Sequence, residues 1–405
     1  MVKRSMLFVA AALALAGGMA RSASAADGRI DLSARHFLAP PYTITNSGSY
    51  RLTENVTITG GTEAISVEAD DVWIDLNGFT LRGQSNALDG IFQDAGYDRL
   101  TVVNGTLAGW SHSGYSAIFA LGDDLVVENC RFAGVRNGVW GGRGALVRDC
   151  SLSGSGAMSG SGFGLNLNVC SVVEDCSVVG HQMGSYTAIT VRTGSSVSRC
   201  VVVSNSASLD FTGVGVGPGC VVESCVVYAN GAGDAMRALD GSTNSIIADC
   251  SVDRNNSGVF DLSMVAGENS VVSGCRSDRN AGAAGIRAGP GAMIVDCSAA
   301  SNAYDGIQLA GYCYAIRNQA CGNGVGSFSA GILTTGIGNR LEDNSAMGNY
   351  AGISLSTSNN LAGANLTGAN VTNFYAAAGV TNHFGKRRTV STPYSDWNTY
   401  GNMSH

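Results

Sequence analysis

Lysine is nearly absent from this chain: Lys3 and Lys386 are the only two among 405 residues. Charge of either sign is sparse, at 14%, where an ordinary globular protein carries about one quarter. That sparseness excludes a highly charged disordered chain, a histone-like binder and a long charged coiled coil. Past residue 26 no segment approaches the roughly 18 apolar residues of a membrane-spanning helix, so no membrane span is expected in the mature chain. No helical stretch of about ten or more residues separates the apolar runs, which excludes doubly wound and α/β-barrel folds. Proline is scarce, with 5 residues, whereas glycine is abundant, with 56. The glycines follow no G-X-Y period, so collagen is excluded as well.

Residues 1–26 read as a secretory signal: Lys3 and Arg4 at the start, an apolar stretch from Met6 to Met19, and Ala23-Ser24-Ala25 as a small-residue cleavage site. Its removal takes three cations (Lys3, Arg4, Arg21) and no acids, moving the formal net charge from -7 to about -10. An acidic surface of this kind disfavours nucleic acid, which is held by Lys and Arg on phosphates. The expectation is a monomer that is secreted, periplasmic or on the cell surface, with no nucleic-acid partner.

Self-similarity is the strongest signal. The segments LVVENCRFAG at 125, SVVEDCSVVG at 171, SIIADCSVDRN at 245 and AMIVDCSAASN at 292 share one pattern. Its Cys falls at Cys130, Cys150, Cys176, Cys200, Cys225, Cys250, Cys275 and Cys297, with gaps of 20, 26, 24, 25, 25, 25 and 22 residues. Asn318 and Asn344 continue that column, and three residues before each member lies an apolar position running from Val127 to Leu341, weakest at Ala315. A further Asn column runs through Asn205, Asn230, Asn255, Asn280, Asn302, Asn323, Asn349 and Asn370. A second apolar run opens each unit, anchored at Ile65, Ile91, Ile118, Val139, Leu165, Ile189, Val214, Met236, Val259, Ile286, Ile307, Ile332, Ile353 and Val380. Three short strands joined by Gly/Asn/Ser turns in each 20–27 residues describe one coil of a solenoid. Stacked at ~4.8 Å, such coils bury a continuous core that none could bury alone. The fold class is therefore all-β, a single-stranded right-handed parallel β-helix of about 13–14 coils, roughly 65 Å long, with N- and C-terminal caps. Its expected divisions are a cap at 27–55, the β-helix at 56–380 and a cap or tail at 381–405, which carries Tyr394, Trp397, Tyr400 and the basic run Lys386-Arg387-Arg388.

The opening YTITNSGSYRLTENVTIT, followed by AISVEADDVWIDLNGFTLRG, resembles the first coils of exported proteins of the right-handed parallel β-helix (pectate-lyase-like) superfamily. The resemblance covers about residues 42–375 and implies the fold; a solenoid of this kind hosts many activities. Lyases of the superfamily that pair a Lys base with an Arg acid match poorly, because past residue 26 the body has no Lys before Lys386. The YG-x-D-P-H type of motif of alginate epimerases is absent, with only a faint echo in YDGI at 304.

Twelve Cys in an exported chain ordinarily suggest disulfides. Eight of them form one column whose neighbours project in parallel, which keeps sulfurs from meeting without strain. A buried, reduced ladder is the expectation, with a local Cys313–Cys321 bridge left open. No C-x-x-C zinc spacing occurs, and no metal ligand set is expected.

Residues alternate in and out along a strand, so the position after each anchor faces solvent. There Phe92, Phe119 and Trp140 form an aromatic ridge, beside a polar strip of Asn166, Asn168, Thr190, Arg192, Arg237 and Arg287. Rings beside amides and guanidiniums suit sugars, which stack their apolar faces and offer hydroxyls or carboxylates to planar donors. The competing expectation is that a loop at 105–115 or 155–163 covers the rings. For elimination or epimerisation of a uronic acid, Arg192, Arg237 and Arg287 would neutralise the carboxylate, and His181 or Tyr186, in a loop entering the Ile189 coil, would be the base. Hydrolysis is disfavoured because no register brings a carboxylate pair together. Glu68 and Asp94, stacked near Asp89, offer oxygens for Ca²⁺, with solvated turn acids as the plainer reading; no other cofactor is implied. Two functions remain open: an exported protein that binds or processes polysaccharide, as a uronate lyase or epimerase if catalytic, and a non-catalytic surface or matrix rod.

Overall fold

The computed structural model describes residues 28–389, apart from 85, 258–259, 283, 325–328 and 386–387. The expected signal at 1–26, together with Lys386, Arg387, Tyr394, Trp397 and Tyr400, lies outside the described residues. Short strands pair in parallel from coil to coil, giving a right-handed parallel β-helix of about 13 turns. The front sheet has 15 strands, from Tyr42–Ile44 to Thr372–Ala376. The remaining strands form a side face, centred on Val127, Val147, Val173 and their successors, and a back face, centred on Phe132, Leu152, Val178 and Val202. The parallel ladder begins at Ile30–Leu32, paired with Tyr50–Leu52, and continues to Arg388–Thr389.

Side and back faces meet at a corner of one left-handed residue, the residue before each Cys: Asn129 (φ 51°), Asp149 (53°), Asp175 (54°) and Asp249 (52°), for example. Asn and Asp tolerate this conformation better than most residues, which is why they recur there. After the bend the Cys points inward. Each column thiol donates to a backbone carbonyl one coil earlier, as in Cys275 Sγ to Ile247 O at 3.5 Å. All eight are buried, and none of the twelve cysteines forms a disulfide, Cys313 and Cys321 included. The thiols of Cys150 and Cys176 are pushed upward in pKa, first by the cysteine beneath each and then by burial.

The Asn column is a continuous hydrogen-bonded ladder. Asn230 Oδ1 accepts from both the backbone N–H and the side-chain Nδ2 of Asn205, each at 3.0 Å. The motif repeats through Asn255, Asn280, Asn302, Asn323 and Asn349 to Asn370. Each amide also donates to a carbonyl of the preceding coil, such as Asn255 Nδ2 to Val227 O at 2.9 Å. Buried polar groups that would otherwise lack partners are satisfied in this way. A further ladder of Asn339, Asn360 and Asn382 continues from Cys313 at the front–side corner.

Ala315 keeps its place, pairing with Ile294 and Leu341, so the register does not slip there. In the front sheet the expected register fails at three places. Leu239, not Met236, stands over Val214; Met264 occupies the next rung, where Val259 was expected; and Phe374, not Val380, ends the column. Val259 itself lies outside the described residues. Met236 is also buried, but over Phe211 and Tyr186, in a second interior column that the expected spacing conflates with the first.

His181 stands one rung before Asn205, whose Oδ1 accepts the His181 backbone N–H at 2.9 Å. Its ring is 1% exposed, and neither ring nitrogen has a hydrogen-bond partner in good geometry. It stacks on Tyr186 with centroids 4.7 Å apart. Burial lowers its pKa to about 4, with the Leu152 carbonyl opposing only weakly.

Two measurements check this interior. A thiol reagent should modify exposed Cys170 quickly and half-buried Cys321 slowly in the native protein, and all twelve cysteines only after denaturation. Because the fold favours neutral His181, its contribution is fully present above the unfolded pKa near 6.5 and is lost as pH falls from there through about 4. The loss should reach about 3 kcal/mol. His181→Phe, which keeps a flat ring on Tyr186, should flatten that slope in melts taken at a series of pH values.

Candidate functional site

Each front rung from Ala64-Ile65 to Gly352-Ile353 carries a buried doublet of one small and one larger residue, such as Ala188-Ile189, Gly213-Val214 and Ala238-Leu239. The first must be small: a Cβ on Gly164 would stand 2.3 Å from Ala188 O, and one on Gly213 would stand 2.3 Å from Ala238 O. With two successive residues turned inward, the residues on either side both turn outward. The face therefore carries two outward columns. One runs Phe92, Phe119, Trp140, Asn166, Thr190, Gly215, Asp240. The other runs Phe163, Thr187, Thr212, Arg237, and is preceded by Asn137, which is buried and hydrogen-bonded to the Tyr115 carbonyl.

Phe92 and Phe119 stack with centroids 5.9 Å apart and planes 5° from parallel. Trp140 follows at 5.7 Å, and Phe163 meets Trp140 edge-on at 5.5 Å. Phe163 belongs to the second column, which strict alternation does not predict. These rings remain half-exposed. Neither loop expected to cover them does so. Trp110, from the 105–115 segment, turns into the core and donates Nε1–H to Leu81 O at 3.3 Å. The 158–160 turn is pinned at the edge by Arg136, which donates to Ser159 O at 2.6 Å and to Ser111 O at 3.0 Å.

In register with the ring ladder, the next coils form an open depression of about 700 Å³. Asn166, Asn168, Thr187, Thr190, Arg192, Thr212 and Asp240 line it, and Gly215 and Gly217 form its floor. The structure thus brings together Asn166, Asn168, Thr190 and Arg192, as expected. Thr187 and Thr212 are additional. Arg192 is exposed and has no ion-pair partner among the described residues. Arg237 lies on the second column, at the edge of the depression, where Nη1 holds Asp240 Oδ2 at 2.7 Å. The misplaced Met236 anchor is what put Arg237 in line with Thr190. Arg287 sits two rungs beyond Asp240 on the first column and does not converge with the other two arginines.

His181 and Tyr186 do not line this face. Only Gly184 separates the strands Ser177–Met183 and Ser185–Val191, so the expected loop at 181–187 does not exist. Both side chains point into the solenoid, and Tyr186 is 2% exposed, with its hydroxyl unpartnered and its pKa raised by desolvation. Their assignment as a surface base is therefore corrected: the buried column Tyr186, Phe211, Met236 claims that position for packing. The depression itself is lined by no His, Lys or Tyr.

Two of the three acids considered for Ca²⁺ accept backbone hydrogen bonds. Asp89 is buried and accepts the Ser116 N–H at 2.7 Å, and Asp94 accepts the Ala95 N–H at 2.8 Å. No group of three or more His, Cys, Asp or Glu able to hold a metal ion occurs among the described residues.

No protein-family model matches the chain, and no curated protein matches it. Among solved structures it is similar to the periplasmic alginate epimerase AlgG, with 13% identity over 90% of this chain and 84% of that one, at a TM-score of 0.41. It is also similar to the A-module of the Azotobacter vinelandii mannuronan C-5 epimerase AlgE4, with 13% identity over 85% and 89% and a TM-score of 0.38. The receptor-binding domain of the Siphovirus 9NA tailspike gives 10% identity over 92% and 78%, at a TM-score of 0.31. At these identities the likeness is one of solenoid architecture.

Proposed function

We propose that this exported β-helix protein binds an extended, acidic polysaccharide along its front face and does not turn it over. The observation that carries this reading is the unbroken outward track in which four rings, Phe92, Phe119, Trp140 and Phe163, lead into the Asn/Thr depression beside unpaired Arg192. The rings stack on the apolar faces of sugar units, Asn166, Asn168 and Thr190 meet hydroxyls, and Arg192 takes a carboxylate as a bidentate fork. Arg237 holds Asp240 aside, and Arg287 extends the track two rungs further.

The uronate lyase or epimerase reading needs a base within reach of the proton beside the carboxylate. Among the described residues of the depression the only titratable base is Asp240, and Arg237 occupies it. The face is also open to water, without the closing loops that strengthen electrostatics in an active site. Recognition is therefore favoured over turnover.

A panel of neutral and acidic polysaccharides, followed by tryptophan fluorescence and by absorbance of unsaturated uronate products, separates these readings. Binding of a polyuronate without product is expected. Trp140→Ala should weaken it about tenfold, corresponding to ~1.4 kcal/mol, with an unchanged melt. Arg192→Ala should weaken acidic but not neutral ligands. Silence of the whole panel would leave only the rod-like structural role; product formation would restore the enzyme reading.

A further inference from the structure

One of the two outward columns of the side face is apolar where a solvated column would be polar. This column takes one residue from each of eleven successive strands, from Val126 to Leu361, and is apolar at all but Ser196 and Arg340. Ile246, Met293 and Tyr314 are 45%, 39% and 43% exposed. Nothing in the described chain covers this column.

When the column is read from either end, three of its five symmetry-related pairs are apolar on both sides; Leu146 with Arg340 and Ser196 with Met293 are the exceptions. Its sixth and central rung is Ile246. We propose that two copies of this chain associate through their side faces, solenoids antiparallel, about a two-fold axis passing through Ile246. The apolar column then lies on itself: Val221 faces Val271, Val172 faces Tyr314, and Val126 faces Leu361. Such an interface is isologous and closed.

The second outward column, two residues on in each strand, supplies the charge argument. Between Glu128 and Gly363 it holds four acids, Glu128, Glu174, Glu223 and Glu342, and one base, Arg148. Antiparallel reversal sets Glu128 against Gly363, Glu174 against Ile316 and Glu223 against Ser273. No acid meets an acid: Arg148, paired with Glu128 in its own chain, meets Glu342 of the other copy, itself paired with Arg340, so the two in-chain pairs join into one network of two acids and two bases. For a chain of net charge -7 this arrangement avoids like-charge contact. The strip is ten rises long, about 48 Å, but only three residues wide. That makes it smaller than a standard interface of ~800 Å² per partner, so association is weak and concentration-dependent.

Sedimentation equilibrium from about 0.1 to 100 µM tests this. A monomer–dimer equilibrium is expected. Ile246→Glu, which brings two charges together on the axis, should raise the dissociation constant about tenfold or more. Gln319→Glu, on the back face, should leave it unchanged. Arg148→Glu should weaken the dimer; in a Glu128→Gln, Arg340→Gln background, which removes the in-chain partners of both positions, the Arg148→Glu, Glu342→Arg double variant should restore it. Far-UV circular dichroism confirms that each variant is folded. A monomer at every concentration, or a swap that fails to restore a folded double variant, would overturn the proposal. Polysaccharide binding on the front face is independent of either result.

Discussion

The structure depends on one constraint, the vertical registry of coils. Each coil is only three short strands and cannot stand alone; it gains its hydrogen bonds and half its apolar contacts from the coil above and the coil below. Identical side chains are the cheapest way to satisfy that requirement, because a residue that fits one rung fits the next. Asn amides show it most clearly, donating one way and accepting the other. Cys fills the corner after each left-handed residue, where a small, polarizable side chain with a weak donor suffices.

The same constraint shapes the surface. When the interior repeats, so do the outward columns, and any residue placed there becomes a track. On the front face the track is aromatic and then polar and cationic. On the side face one column is apolar but for Ser196 and Arg340. Function in such a scaffold is written as changes along a column, and the proposed recognition surface rests on the change from Trp140 to Asn166 to Thr190 on the front face.

Much of this was legible in the sequence. The spacing of Cys130 to Cys297 and of Asn205 to Asn370 gave both buried ladders and the solenoid itself, because vertical registry prints directly into the chain. What strict in–out alternation could not give was the inward doublet. Ala188-Ile189 and Ala238-Leu239 place two successive residues inside, which doubles the outward columns and hides Phe163, Thr187 and Thr212 from a period-two count. The same doublet moved Arg237 off its expected column. His181 and Tyr186 were misplaced because a Gly-containing stretch looked like a loop, whereas Gly184 is the single corner between two strands. The second anchor there, Tyr186, belongs to a local interior column shared only with Phe211 and Met236, too short to appear as a repeat.

The most direct test of the central claim is the placement of sulfur by anomalous scattering from crystals of the protein. Registry predicts a straight file of eight sites, Cys130 through Cys297, separated by one coil rise of ~4.8 Å, with the other cysteines off that line. Sulfurs scattered through the molecule, or paired at bonding distance, would contradict the vertical registry and with it every inward and outward assignment that rests on it.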